Sequence, residues 1–517
     1  MTTQFKHDAC VCHNHKEFSQ KNATSSCSIE STLGESQRTL PYNQDKDFAQ
    51  QQILNTDSFQ EECAVVGVFN CDEAPLISYY ALFAMQHRGQ EASGISACYN
   101  NRITTIKAQG LVTKVFTQTN LRKLQGTNAI GHNRYGTAGA DSSEDSQPIF
   151  ACYDLGEIAL AHNGNLTNAS KIRESLIREG AIFQSKLDTE VIIHLIARSK
   201  KELLTPRIME VMREVEGAFC LVVLSRSKMF VMRDRFGFRP LSLGEITNKD
   251  GSIGYIVASE TCAFDLVGAR YIRDIEAGEL LIFEQNNTRE AKLISIKIFE
   301  DRHKPCVFEY IYFARPDSVV FNKSVYNVRK NLGKQLAKEH LLDADIVIPV
   351  PDSGLAAAIG YSQQSKIPFE LGLIRNHYVG RTFIEPTQEL RELKVRLKLN
   401  PIREVIANKR IIVIDDSLVR GTTSKAIVQL LRNAGAKEIL LLISAPPTIS
   451  PCFYGVDTPS KKELICANKS IKEVCQFIQA DYLGFLSFEG LKTAVDKESY
   501  DYCQACFDGQ YLHDIDK

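Results

Sequence analysis

Residues 410 to 424 read Arg-Ile-Ile-Val-Ile-Asp-Asp-Ser-Leu-Val-Arg-Gly-Thr-Thr-Ser. The apolar run Ile411–Ile414 is entirely β-branched, the pattern of a strand covered on both faces. The residues from Ser424 to Ala434 follow helical spacing and end at Gly435. A polar turn between strand and helix lies at the carboxyl end of the strand, where ligands bind in open α/β sheets. Gly421 lets a ligand approach the backbone closely. Ser417, Thr422 and Thr423 add hydroxyls to the free N–H groups of the helix start, which makes an anion site. Asp415 and Asp416 would repel a phosphate alone. They suit a ligand that also carries ribose hydroxyls or a Mg²⁺ ion, which prefers hard oxygens. A capped helix after a polar turn is the plainer reading, and two carboxylates, Arg420 and a Gly-Thr-Thr run together weigh against it. No Walker-type Gly-Lys-Ser/Thr follows, and there is no G-x-G-x-x-G.

Upstream the same rhythm recurs. Asp345–Val350 reads as a strand, Pro351-Asp352-Ser353-Gly354 as a loop and Leu355–Tyr361 as a helix. Strands alternating with helices imply a parallel sheet covered on both sides, an α/β domain. Between Cys63 and about Glu300 the pattern differs. Short β-rich segments (Cys63–Phe69, Ile158–Ala161, Phe219–Leu224, Lys228–Arg233, Gly254–Ser259 and Leu280–Phe283) have few helices between them, Thr189–Arg198 being one. That is layered α+β packing. With no internal repeat, two unlike domains stand in tandem. Residues 1–62 are rich in Ser, Gln, Asn and Asp with little apolar periodicity, and read as a disordered leader. Its scattered acidic residues argue against a transit peptide. Cys10-Val-Cys12-His-Asn-His15 reads as incidental ligands in a tail.

The 517 residues, 44% apolar and 24% charged, fit a soluble enzyme of two or more domains. A net charge of −1 gives no bulk attraction to nucleic acid or anionic membrane, so local groups must hold any phosphate. The longest apolar run, Gly217–Leu224, is strand-sized, so no membrane span is expected. Fifteen cysteines without a secretory signal suit a reducing compartment, and a cytoplasmic protein is expected.

Cys63 opens the apolar stretch of Phe59-Gln-Glu-Glu-Cys-Ala-Val-Val-Gly-Val-Phe69. As a core cysteine it needs no comment. If the Glu62–Cys63 bond is cut, the new α-amine, with a reference pKa of about 7.7–8, can take the thiol proton near neutrality. Nucleophile and base then share one residue. Asn163 and the Gly164 N–H of Ala161-His-Asn-Gly-Asn165 can face a developing oxyanion. Arg134 can hold a carboxylate and Asp188 an ammonium. A ligand with carboxylate, ammonium and carboxamide is glutamine. Each residue has a duller reading: a surface ion pair for Arg134, a turn for Asn163-Gly164, and a cap on Thr189–Arg198 for Asp188.

Near the C-terminus Cys503-Gln-Ala-Cys506 forms a C-x-x-C pair, and Cys306 and Cys452 each follow a proline. Four thiolates could hold Zn²⁺ or a [4Fe–4S] cluster, and spacing alone does not choose. Unpaired buried thiols are the plain alternative.

The Asp415–Thr423 stretch resembles the phosphoribosyl diphosphate (PRPP) motif of type I phosphoribosyltransferases. That resemblance implies binding through Asp415, Asp416, Ser417, Arg420, Gly421, Thr422 and Thr423, with Pro351–Gly354 lining the diphosphate side. It also implies a closing loop, Arg375–Pro386, whose charged continuation Arg391–Lys398 reads equally well as a mobile lid or a solvated helix. The ordered set Cys63, Gln86-His-Arg-Gly-Gln-Glu91, His132-Asn-Arg-Tyr-Gly136, His162-Asn-Gly164 and Asp188 resembles the N-terminal-nucleophile glutamine amidotransferases. Their fold is an αββα sandwich. From Glu61 to about Tyr511 the chain is similar to the amidophosphoribosyltransferase family. The resemblance implies a propeptide over 1–62, an amidotransferase domain over 63–300, a phosphoribosyltransferase domain with interdomain segment over 301–470 and a cysteine-bearing tail over 471–517. At sixty-two residues the leader is longer than a short propeptide.

The implied reaction takes ammonia from glutamine at Cys63 to PRPP, giving 5-phosphoribosylamine, diphosphate and glutamate, the committing step of purine synthesis. One Mg²⁺ near Ser353, Asp415 and Asp416 is implied. So are inhibition by purine nucleotides and a homo-oligomer, dimer or tetramer. In some members a structural [4Fe–4S] cluster is bound by cysteines in the contexts P-C-V-x-E-Y-I-Y-F, P-C-F-Y-G and C-x-A-C-F, matching Cys306, Cys452, Cys503 and Cys506; Cys262 is then a packing residue. Three rivals remain at this stage: another ammonia acceptor, as in hexosamine or asparagine synthesis; a nucleotide-sensing regulator on a phosphoribosyltransferase scaffold; and an iron–sulfur or zinc sensor.

Overall fold

The run after Cys63 becomes β1 (Ala64–Phe69), buried throughout. Its side chains alternate between two layers: Val65 and Phe69 enter one core, Ala64, Val66 and Val68 another. The computed structural model describes residues 63–135, 143–285, 290–300, 302–376, 398–456, 458–495 and 501–513. The leader therefore lies outside the described residues. So do the expected closing loop beyond Asn376 and its continuation up to Lys398.

Around β1 stand β2 (Ala92–Tyr99), β3 (Arg102–Gln109), β4 (Asn128–Arg134), β5 (Ile149–Tyr153), β6 (Gly156–Leu166), β7 (Gly217–Ser225), β8 (Lys228–Arg233), β9 (Ser242–Thr247), β10 (Ile253–Ala258), β11 (Arg270–Asp274), β12 (Glu279–Gln285) and β13 (Ala291–Lys297). They form two antiparallel sheets, ordered β11-β9-β10-β1-β4-β2-β3 and β13-β12-β8-β7-β6-β5. Val65, Phe69 and Ile130 of the first meet Ala161, Val222 and Val231 of the second. The sheets pack tightly at Gly67, where a Cβ would come 2.8 Å from Val222 Cγ1 and 2.9 Å from Met229 Sδ. Helices Ala74–Ala84 and Cys262–Val267 cover the outside of the first sheet; Ala169–Arg178, Thr189–Arg198 and Leu204–Glu214 cover the second. The result is an αββα sandwich.

The second half is built on a parallel sheet of Ile346–Pro349, Arg410–Asp415, Glu438–Ile443 and Tyr482–Phe485, in that order. Leu355–Ser365 and Thr422–Asn433 are the helices that follow the first two strands, so both expected strand–turn–helix units form. Val325–Glu339 packs on Leu355–Ser365, and Thr422–Asn433 on Ile471–Ile478.

Between the halves, Glu309–Phe313 makes one π-helical turn, closed by Ala314 N–H donating to Glu309 O at 3.0 Å. The C-terminal segment is stitched to this connection. Cys503 N–H donates to Pro305 O at 2.9 Å and Val307 N–H to Cys503 O at 3.1 Å.

Candidate functional site

Three centres emerge. The first surrounds Cys63, half-buried at the start of β1. Its carbonyl accepts from Arg88 Nε at 3.3 Å. On the neighbouring β4, Asn133 pairs with Ala64, so Arg134 follows at the level of Cys63. Arg134 is buried and its guanidinium donates to the Asp145 carbonyl. His132 reaches from β4 to β6 in the other sheet, its Nε2 3.0 Å from His162 O. Burial, then Arg134, push the His132 pKa down to about 3, so the ring is neutral and donates through Nε2. β6 carries Asn163 and Gly164. Asn163 is buried and its Nδ2 has no hydrogen-bond partner, although buried donors are normally paired. Gly164 sits at φ +143°, and a Cβ there would meet Ala218 O at 2.1 Å.

Asp188 does not cap Thr189–Arg198; no side-chain bond closes that helix start. Its carboxylate instead accepts from Leu166 N–H at 2.9 Å and Thr189 Oγ1 at 3.1 Å, with His162 Nδ1 at 3.5 Å. Burial opposes its ionisation, but His162 and these donors outweigh it and hold the carboxyl below the usual range. Asp188 is thus an anion fixed beside the strand bearing Asn163.

A buried ion network stands behind Cys63. Arg88 Nη1 donates to Glu260 at 2.7 Å, and its two Nη groups to the two oxygens of Glu309 at 2.9 and 2.8 Å. Glu260 also meets His87 Nε2 at 2.8 Å, Arg315 N–H at 2.9 Å and Ser318 Oγ at 2.6 Å. Burial works against the Glu260 charge, yet His87 and Arg88 hold its pKa well below the ordinary value. Sequence reasoning gave Arg88, Glu260 and Glu309 no role. The available signals were Arg88 inside the quoted Gln86–Glu91 motif and Glu309 inside the cysteine context.

The second centre lies where Ile346–Pro349 and Arg410–Asp415 end side by side. Asp415 and Asp416 are both buried, and Asp416 N–H donates to Asp415 Oδ1 at 2.9 Å. Burial and then the Asp416 charge push Asp415 well up. Burial also raises Asp416, with hydrogen bonds from Ser353 and Ser417 and the Arg329 charge opposing. Ser353 of the upstream loop is thereby brought onto the same carboxylate. Gly354 lies under the strand end, where a Cβ would come 2.3 Å from Ile414 O. Gly421, at φ +79°, precedes Thr422 and Thr423 at the helix start. Arg420 points to Glu463, with Nη2 to Oε1 at 2.8 Å.

The third centre gathers the cysteines. Cys306, Cys452, Cys503 and Cys506 line one cavity with Phe238, Phe308, Tyr454, Val456 and Ala505. Tyr454 N–H donates to Cys452 Sγ at 3.3 Å. Burial pushes the Cys503 thiol up to about 12 and raises Cys506 as well. Such thiols stay protonated at neutral pH unless a cation offsets the cost of ionising them. Among the described residues, no three His, Cys, Asp or Glu side chains are grouped as one metal ion would need. Cys262 is apart, buried against Ala84 O and Glu260.

Comparison with known proteins agrees with this arrangement. Residues 132–265 match a glutamine amidotransferase domain and residues 324–462 a phosphoribosyl transferase domain. An amidophosphoribosyltransferase of Bacillus subtilis is 47% identical over 468 residues, covering 90% of this chain and 96% of the relative. One from Methanothermobacter thermautotrophicus is 44% identical over 464 residues, covering 89% and 96%. The chloroplastic enzyme of Glycine max is 47% identical over 453 residues, covering 87% and 78%. Among solved structures, the B. subtilis glutamine PRPP amidotransferase complexed with ADP and GMP superposes with a TM-score of 0.82. It is 46% identical and covers 88% of this chain and 98% of that one. The chain belongs to the amidophosphoribosyltransferases, the glutamine-dependent transferases of purine biosynthesis.

Proposed function

We propose that the Cys63 thiol is the nucleophile and that the α-amine freed by cutting the 62–63 bond is its base. The observation that carries this is the unpartnered Asn163 Nδ2, a buried donor that finds its acceptor when an oxyanion forms. The amine takes the thiol proton and sulfur attacks the carboxamide carbon of glutamine. The carbonyl π electrons move to oxygen, held by Asn163 Nδ2 and the Gly164 N–H. Collapse breaks the C–N bond, the amine returns its proton to the leaving nitrogen, and ammonia departs. Water then cleaves the thioester to glutamate. Arg134 holds the substrate carboxylate and Asp188 its ammonium; the low pKa direction of Asp188 suits that task.

Ammonia passes internally to C1 of PRPP and displaces diphosphate. The PRPP site is built from Asp415, Asp416, Ser417, Gly421, Thr422 and Thr423, with Arg420 at its rim. One Mg²⁺ would be held by Ser353, Asp415 and Asp416, and when bound it neutralises charge on the leaving diphosphate. The upward shift of both carboxyls supports this, because crowded buried anions gain most from a cation.

The four cysteines would hold one [4Fe–4S] cluster with a structural role, pinning the tail to the connection between the halves. Their convergence on one shared, apolar cavity supports this reading. No helix among the described residues is long and apolar enough to cross a membrane. We read the protein as a cytoplasmic homo-oligomer, a dimer or tetramer, inhibited by purine nucleotides. A relative's complex with ADP and GMP supports the last point.

N-terminal sequencing and intact mass of the active enzyme test the scheme. The chain should begin at Cys63, and Cys63→Ser should abolish glutamine-dependent release of diphosphate. Retention of the leader on active enzyme would overturn it. Purified protein should be brown and Cys503→Ser colourless.

A further inference from the structure

Beyond the nucleophile itself, a continuous buried path joins it to the cysteine cavity. Arg239 is fully buried and donates to the Tyr454 carbonyl through Nε at 2.9 Å and Nη2 at 2.5 Å. Its Nη1 lies 3.4 Å from Glu309 Oε1. Glu309, also fully buried, grips Arg88 with both oxygens, and Arg88 donates to the Cys63 carbonyl. Tyr454 follows Cys452 by two residues and its N–H donates to that sulfur. The same loop touches the oxyanion strand. Asn165 Nδ2 donates to Phe453 O at 3.0 Å, and a Cβ on Gly455 would lie 3.1 Å from Gly164 Cα. The loop Cys452–Gly455 therefore touches the strand bearing Asn163 directly and is joined to Cys63 through Arg239, Glu309 and Arg88.

We infer that Glu309 is a positioning residue for Cys63, acting through Arg88, and that Arg239 anchors it to the cavity loop. The inference rests on the nucleophile reading above. Arg88 has a flexible stem, and one bond to a carbonyl does not fix it. The bidentate Glu309 carboxylate does, because the planar fork allows one orientation. Arg88 and Arg239 face Glu260 and Glu309, so the four buried charges balance and the fork is held without net charge. Glu309 and Arg239 are both fully buried, so each acts through its neighbours.

The test uses the mature enzyme with Glu309→Gln, Glu309→Asp and Arg239→Lys. The Gln variant keeps shape but loses the bidentate charge. It should lower kcat/KM for glutamine by roughly tenfold to a hundredfold, the usual result of a small misplacement of reacting groups. Alkylation of Cys63 by a diazoketone analogue of glutamine should slow in step across the pH profile, with the visible absorbance unchanged. Glu309→Asp should recover part of the loss. Arg239→Lys should lie between Glu309→Gln and wild type. Ammonium-dependent use of PRPP is the internal control for folding, and a parallel loss there would make the network merely structural and overturn the inference. Alkylation of Glu309→Gln at the wild-type rate would overturn it too. Cys63→Ser separates the two levels. If it still uses glutamine, the nucleophile itself is wrong; if it does not and Glu309→Gln is normal, only the positioning role falls.

Discussion

Among the buried carboxylates of this molecule, Glu260 is shifted one way and the pair Asp415–Asp416 the other. Glu260 and Glu309 lie between Arg88 and Arg239, and Glu260 is held far below its ordinary range. Asp415 and Asp416 lie side by side at a strand end, and both are pushed up. Burial is common to the two pairs. The difference is whether cations are built in. The first pair is compensated by the chain's own arginines. The second is left under-compensated, with the Arg329 charge only opposing the rise of Asp416. A buried acid with its own arginine reads as scaffold, and one without reads as a site.

Removing one member from each pair separates these roles most sharply. Asp416→Asn should cut PRPP turnover by roughly a hundredfold or more with either glutamine or ammonium as nitrogen donor. The same change should leave the free protein as stable as before, or more so, because it relieves a repulsion. Steady-state assays beside thermal melts measure both. Near-normal turnover would show that the pair is not the PRPP centre. Glu260→Gln should do the reverse. It removes the charge met by Arg88 Nη1, His87 and Ser318 and should destabilise the fold by about 3–5 kcal/mol, as breaking buried pairs does. Denaturant melts of the unliganded protein would register it.

The pairs also differ in pH response. A group whose folded pKa is depressed stabilises the fold above its unfolded pKa and loses that stability as pH falls toward the folded value. Glu260, from an ordinary 4.5 downward, is of this kind, so the deficit of Glu260→Gln should shrink in acid. For a carboxyl pushed up, the folded state binds more protons than the unfolded one. Stability then falls as pH rises from the ordinary 3.8 toward the folded value. Asp416→Asn should therefore gain on wild type as pH rises above the ordinary carboxylate range. Bound Mg²⁺ with PRPP should erase that gain. Parallel slopes for the two variants would contradict the comparison.

How much of this was legible beforehand follows the same division. The strand–turn–helix around Asp415 was readable because β-branched runs and a Gly-Thr-Thr turn are local signals. β1, β6, β7, β8, β10 and β12 were readable as apolar runs, all of them interior to their sheets. The four edge strands, β3, β5, β11 and β13, had no such run, and neither did the interior strands β2, β4 and β9. β3, reading Arg-Ile-Thr-Thr-Ile-Lys-Ala-Gln, carries the charge and hydroxyls that keep an edge soluble and blur its periodicity. The candidate cysteines were legible from family context and converge on one cavity. The ion network behind Cys63 was not. Arg88, Arg239, Glu260 and Glu309 are scattered over more than two hundred residues, and nothing local marks them as partners. For Asp188 the sequence offers an ammonium partner and, as the plainer reading, a helix cap; the cap does not form because His162, Leu166 and Thr189 take its oxygens.

The smallest expected effect tests the rim of the second centre. Arg420 pairs with Glu463 at 2.8 Å, both partly exposed, beside the turn that leads to Gly421. Such a pair is screened by water and contributes about 0.5 kcal/mol. Glu463→Gln should thus barely move the melting temperature. If the pair is only a surface contact, the KM for PRPP stays fixed as well. If Glu463 instead holds Arg420 back until PRPP arrives, freeing the guanidinium should lower that KM severalfold while kcat holds, with an effect that fades as salt is raised. The rim would then belong with the under-compensated pair, where charge is kept for the ligand, rather than with the closed network behind Cys63.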